Sequence, residues 1–366
     1  MTSGRSRVKL AVFWGILLTI PLVVAVLAVQ VYYFHGYLTI PVNYCRSFAL
    51  LDEEIGWILA PNSESCVEGA ESETGQPVFS ATVFVNGDGA RAQSRQATTP
   101  TGGLLALGDS WTFGYGIDWK DTFAAQLNDI HGRPTALFAS PAYSGAQALL
   151  LGRRVVSSVQ PTAIIYLELG FWERGVCSGP TRPTRILKPC YWVDGDGETY
   201  LVTPPAGLVR YAGAFGLRPG GMLGAGEKSL AYFQIARPAA KIDQLLVRLG
   251  LKSGFADDWR ALSPPAELAT IHRTHLANLA ALAEAANATL VLIDPGEIYR
   301  LHATSNNILY IGRDTWDTEI LEPMRDLQPE QATVPGDGHF GPGTHGLIAA
   351  MIDRAMARHC ESCLQE

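Results

Sequence analysis

The chain has 366 residues and a net charge of −7; 47% of its residues are hydrophobic, 17% are charged, and 37 are glycine and 22 proline. That composition suits one large α/β domain or two smaller ones with many turns, and it excludes a disordered chain. The acidic balance and the absence of a Lys/Arg cluster leave no nucleic acid as an expected partner.

From Leu10 to Phe34 no residue is charged; Arg5, Arg7 and Lys9 precede the run, and Tyr32 and Tyr33 stand at its far end. About 25 residues rising roughly 1.5 Å each cross the roughly 30 Å hydrocarbon core of a bilayer with some tilt. A cleaved signal peptide has a shorter apolar region, about 7–15 residues, so an anchor is expected. The positive-inside rule then makes residues 1–9 cytoplasmic and 10–35 a single span of the inner or plasma membrane. The rest of the chain lies on the periplasmic or extracellular side, and it does so with either segment type. The six cysteines fall in three local pairs, Cys45/Cys66, Cys177/Cys190 and Cys360/Cys363, which suit disulfides in an exported domain. Six cysteines allow 15 connectivities, so this pairing rests on proximity alone.

Residues 36–100 read as an irregular, turn-rich lead-in to a domain over 101–366. Gly103–Leu107 is an apolar strand running into Gly108-Asp109-Ser110, and a helix follows over Thr122–Ile130, capped by Asp121 or Thr122. Thr135–Ala139 is a second strand, Gly145–Val159 a helix and Thr162–Leu169 a third strand. The pattern breaks at an insertion of about 178–262, whose clearest element is a hairpin pairing Tyr191–Val193 with Tyr200–Val202. A long helix over about 265–286, the strand Ala288–Ile293 and a last helix over about 344–359 complete the order. Alternating strands and helices predict an α/β fold with a parallel sheet, covered on both faces and carrying its site at the carboxyl ends of the strands.

Gly108-Asp109-Ser110 lies at such an end. A serine attacks an ester only when a base takes its proton and donors stabilise the oxyanion. Asp337-Gly338-His339, near the other end of the chain, offers an imidazole for the proton and a carboxylate two residues away to orient it. His345 reads as a helix-start or capping histidine. His272 and His275, three apart on a helix, lack a third metal ligand and read as solvent-facing, so no metal site is expected.

These residues carry a resemblance. The chain resembles the SGNH/GDSL hydrolase superfamily, and within it the anchored, exported members associated with bacterial surface polysaccharides. The first block is similar to Ala106–Asp118 around Ser110, the second to Ser144-Gly145, and the last to Asp337-Gly338-His339 with His345 behind it. Upstream, Asp52–Trp57 with Pro61-Asn62, and Asn86-x-x-Gly89-x-Arg91, are similar to the lead-in of these members. The third block departs: the family's Gly-x-Asn-Asp is Gly170-Phe171-Trp172-Glu173 here, which puts Trp172 where the oxyanion asparagine stands. The resemblance implies a three-layer α/β/α domain with a flavodoxin-like sheet behind one transmembrane helix. It further implies a serine esterase without a cofactor that removes O-acyl groups, typically O-acetyl, from carbohydrate. Ser110, His339 and Asp337 would be catalytic, with the Ser110 and Gly145 N–H groups and Trp172 at the oxyanion, and Asp109, Trp111, Gly170 and Trp172 against substrate. Two alternatives stand beside it. One is an O-acyltransferase served by a polytopic partner; the other is a non-catalytic polysaccharide-binding or assembly protein.

Overall fold

A computed structural model of the chain describes residues 13–15, 17–21, 23–24, 49–70, 77–169, 189–193, 197–203 and 265–363. The lead-in holds β1 (Ala49–Asp52), β2 (Gly56–Leu59), β3 (Ser63–Ala70), β4 (Pro77–Val85) and β5 (Arg91–Ala92). Next come β6 (Leu104–Gly108), α1 (Ser110–Phe113), α2 (Phe123–Asp129), β7 (Thr135–Ala139), α3 (Gly145–Val159) and β8 (Ala163–Leu167). The hairpin β9 (Cys190–Val193) and β10 (Thr199–Val202) precedes α4 (Pro265–Ala285), β11 (Thr289–Ile293), β12 (Ile308–Ile311) and α5 (Pro342–Cys363).

Eight strands form one sheet in the order β12-β11-β8-β6-β7-β5-β4-β3. The five strands from β7 to β12 are parallel, whereas β3, β4 and β5 are antiparallel. This corrects two expectations. The sheet is mixed rather than wholly parallel, and residues 36–100 are not an irregular cover, since β3–β5 extend the sheet itself. The reason is visible in β4, PVFSATVFV, where Ala81, Val83 and Val85 are buried on alternate positions.

Period-two alternation assigns the parallel strands to two cores. Leu104, Ala106, Ile165 and Val291 pack with Phe123 and Leu127 of α2 and Ile348 and Ile352 of α5. Leu105, Leu107, Ile164 and Leu290 face the other way, onto Leu149 of α3 and Leu279 and Leu282 of α4. Both faces of the sheet are therefore covered by helices, and its strands read as continuous apolar runs. β6 lies between β7 and β8, so the chain direction of winding reverses around it and leaves a crevice at the strands' carboxyl ends.

The expected membrane span, residues 10–35, falls largely outside the described residues. Its described part is helical and exposes Phe13, Trp14, Leu18 and Ile20. Among the described residues no helix is long and apolar enough to cross a membrane. Cys66 is disulfide-bonded; Cys45 and Cys177, and the side chains of Cys190, Cys360 and Cys363, lie outside the described residues. Apart from the β9–β10 hairpin, so does the 178–262 insertion.

Candidate active site

Ser110 leaves β6 at its buried carboxyl end and opens the one-turn helix α1, where it is 6% exposed. The Asp109 carboxylate caps this turn by accepting the Trp111 N–H at 3.0 Å. Gly108 is required by a close approach, because a Cβ there would meet Thr112 Oγ1 at 2.1 Å. Beneath the turn lies Arg91, fully buried. Its guanidinium donates to the carbonyls of Phe113, Gly114 and Ile117 and covers the Phe113 ring at 4.4 Å. Burial lowers this guanidinium to about 9, against the opposing charge of Asp118, so it stays protonated at neutral pH. Arg91 is thus a strut under the serine turn.

The motif around it explains itself physically. Asn86 Oδ1 accepts the N–H groups of Asp88 and Ala90, and its Nδ2 donates to Thr99. This Asx turn delivers Arg91 to its place. The Asp52–Trp57 segment serves the neighbouring corner. Tyr143 O–H donates to Trp57 O at 2.6 Å, Gln147 Nε2 donates to Ile55 O at 2.8 Å, and Arg154 bridges Asp52 and Glu54.

His339 comes from the loop before α5. A bridge between Thr333 and Phe340 closes this loop, the Asp337 and Gly338 N–H groups donate to Val334 O, and Gly338 turns with φ +91°. The loop places His339 Nε2 2.8 Å from Ser110 Oγ, and His339 Nδ1 pairs with Asp337 Oδ1. With the Nδ1 proton on the carboxylate side, the Nε2 lone pair faces the serine hydroxyl. The rings of Trp111 and Tyr115 flank the imidazole at 4.6 and 4.8 Å. His345 is apart from this set: in the first turn of α5, it accepts the Phe123 N–H that opens α2, as a helix-start histidine would.

Gly145 is the first residue of α3. A capping box ties Ser144 and Gln147 to each other, using the N–H groups of those two residues and leaving the Gly145 N–H outside it. A cleft of about 10 Å³ joins the exits of β6, β7 and β8, with Gly108, Asp109, Gly145 and Glu168 on its walls. The Gly145 corner therefore borders the serine turn. Gly170, Phe171 and Trp172, the departing third block, lie outside the described residues. Trp119 is half-buried and packs on the core, and so does Trp111.

His275 corrects another expectation. It is 3% exposed rather than solvent-facing, because α4 turns Ile271, His275, Leu279 and Leu282 inward on one stripe. Around it stand Glu168, Tyr166, Tyr191 and Tyr299, all buried. None of these was marked by sequence motif, although the helical spacing of His275 with three apolar residues was a usable signal. Among the described residues no group of His, Cys, Asp or Glu is arranged to hold a metal.

The fold and site together describe an α/β protein with a serine, a histidine and an aspartate in hydrogen-bonded series at a sheet's switch point. The chain matches no family model, and no curated protein matches it.

Proposed function

We propose that this chain is a serine ester hydrolase of the SGNH/GDSL type, removing O-acyl groups, chiefly O-acetyl, from carbohydrate outside the cytoplasm. Residues 10–35 would hold it to the membrane. The observation that carries the reading is the 2.8 Å approach of His339 Nε2 to Ser110 Oγ, with Asp337 on the opposite ring nitrogen. The parallel strands support it: counted from β6 they run 2-1-3-4-5 across the sheet, the flavodoxin-like order of a three-layer α/β/α domain.

The chemistry follows from the atoms. His339 Nε2 takes the proton as Ser110 Oγ attacks the acyl carbon, and Asp337 steadies the imidazolium. The oxyanion meets the N–H groups of Ser110 and Gly145, each at the first position of a helix. His339 then protonates the leaving alcohol, and water, deprotonated by the same nitrogen, frees the acyl group. Trp111 beside His339 offers an aromatic face to a sugar ring. The test is turnover of an activated acetyl ester by the full chain in detergent. Ser110→Ala should lose a factor of about 10⁴ or more in kcat/KM while keeping its melting temperature; equal turnover by this variant would remove Ser110 as nucleophile.

A further inference from the structure

The buried polar cluster behind Gly145 has no role in the steps above. The Tyr191 hydroxyl lies 2.9 Å from His275 Nδ1, and donating to that nitrogen gives its buried proton an acceptor. His275 is held neutral, its pKa pushed down to about 3 by burial and then by the neighbouring His272 and Arg153. A neutral imidazole that accepts at Nδ1 carries its proton on Nε2. Among the described residues that buried Nε2 has no hydrogen-bond partner, a state that costs about 1–3 kcal/mol if nothing satisfies it.

Two observations say where the donor is aimed. A Cβ on Gly145 would stand 2.6 Å from His275 Nε2 and 2.7 Å from the Tyr166 hydroxyl, so both groups press on the Gly145 Cα. A cavity of about 10 Å³ opens beside them, walled by Gly145, Glu168, His275 and Tyr299 among others. That is room for one water, and the walls offer it a donor in His275 and an acceptor in Glu168. Glu168 is itself fixed: its carboxylate accepts from the Tyr166 hydroxyl at 3.2 Å.

We propose that His275 is a positioning residue: its Nε2–H, joined through one ordered water to the Glu168 carboxylate, fixes Gly145 where the N–H of that residue meets the oxyanion. The inference rests on the reading of Ser110 as nucleophile and Gly145 as an oxyanion donor. It assigns the Tyr191 hydroxyl a purpose, namely to choose the His275 tautomer.

The test uses the full chain in detergent, a high-resolution crystal structure, nitrogen NMR of the histidines, and kinetics with an activated acetyl ester. The structure should show one water on His275 Nε2 and Glu168, and the NMR should show the Nε2–H tautomer. His275→Phe should lower kcat about 10- to 100-fold with KM within about twofold, the signature of a displaced transition-state donor. His275→Gln, which restores an N–H of similar reach, should recover most of the loss. Tyr191→Phe, a milder change for the case in which His275→Phe does not fold, should lower kcat by a smaller factor and populate the other tautomer. An empty cavity, an Nδ1–H tautomer in the wild type, or full kcat in the His275 or Tyr191 variants would overturn the proposal while leaving Ser110 as nucleophile. A wild-type chain without esterase turnover would instead overturn the catalytic reading, and the positioning role with it.

Discussion

His339 and His275 flank the same corner of the sheet and are built for opposite ends. The His339 side chain is 22% exposed, with a carboxylate on one nitrogen and a serine hydroxyl on the other. His275 is buried, has a phenol on one nitrogen, faces a glycine with the other, and its pKa falls to about 3. The difference is what surrounds the ring. An imidazole with a carboxylate at Nδ1 and access to water can gain and lose a proton during a reaction, whereas one desolvated without a counter-charge is fixed neutral and can only orient its neighbours.

The largest effect that would break this comparison is at the front. His339→Ala should reduce kcat/KM by about 10⁴, and Asp337→Asn by a similar factor through the wrong tautomer, with unfolding by urea unchanged in both. Comparable turnover in Asp337→Asn would mean the carboxylate does not orient the ring. The next effect is on the strut. Arg91→Met strips the partner from three buried carbonyls and should cost about 3–5 kcal/mol of stability, read from the urea midpoint, and lower activity with it. A shift below about 1 kcal/mol would show that water replaces the guanidinium.

Behind the site the expected effects shrink. Gly145→Ala drives a methyl into His275 and the Tyr166 hydroxyl and should cost about 1–3 kcal/mol, with kcat falling more than stability explains. The smallest effect is in the lead-in. Burial pushes the Asp52 carboxyl up, but the Arg154 hydrogen bond, the Ile55 N–H and the Arg154 charge outweigh it, so its pKa is lowered overall. A carboxyl with a folded pKa below its unfolded value stabilises above the unfolded value and loses that contribution as pH falls through the folded one. Arg154→Met should therefore be about 0.5–1 kcal/mol less stable than wild type at pH 7, and the gap should close as acid protonates the Asp52 carboxylate. A gap unchanged at acid pH would place the effect in packing of the Arg154 stem instead.

The elements with clean periodicity were legible from the residues. Thr135–Ala139 and Gly145–Val159 are the strand and helix expected, and Thr122 is one of the two expected caps. The lead-in was misread because β3, SESCVEGA, is polar on its exposed positions and β1, β2 and β5 are too short to show a period. Strand β12 was missed because only four residues, Ile308–Ile311, form it. At the site, Ser110, His339 and Asp337 stand out in the sequence because the chemistry demands each residue type, and the structure brings the three together; Gly145 stands out only through the resemblance of Ser144-Gly145 to the second block. Arg91 was visible only as a letter in a motif. Its function depends on carbonyls 22 to 26 residues downstream, which no local pattern encodes. His275 reads as solvent-facing from its missing third metal ligand, whereas the apolar stripe it shares with Ile271 and Leu279 turns it inward.

The most direct measurement is mass spectrometry of the full chain after reaction with a fluorophosphonate. A single adduct is expected on the peptide containing Ser110, absent from Ser110→Ala and formed at least about 10³-fold more slowly in His339→Ala. An unmodified wild-type chain, or an adduct that survives in Ser110→Ala, would contradict Ser110 as nucleophile.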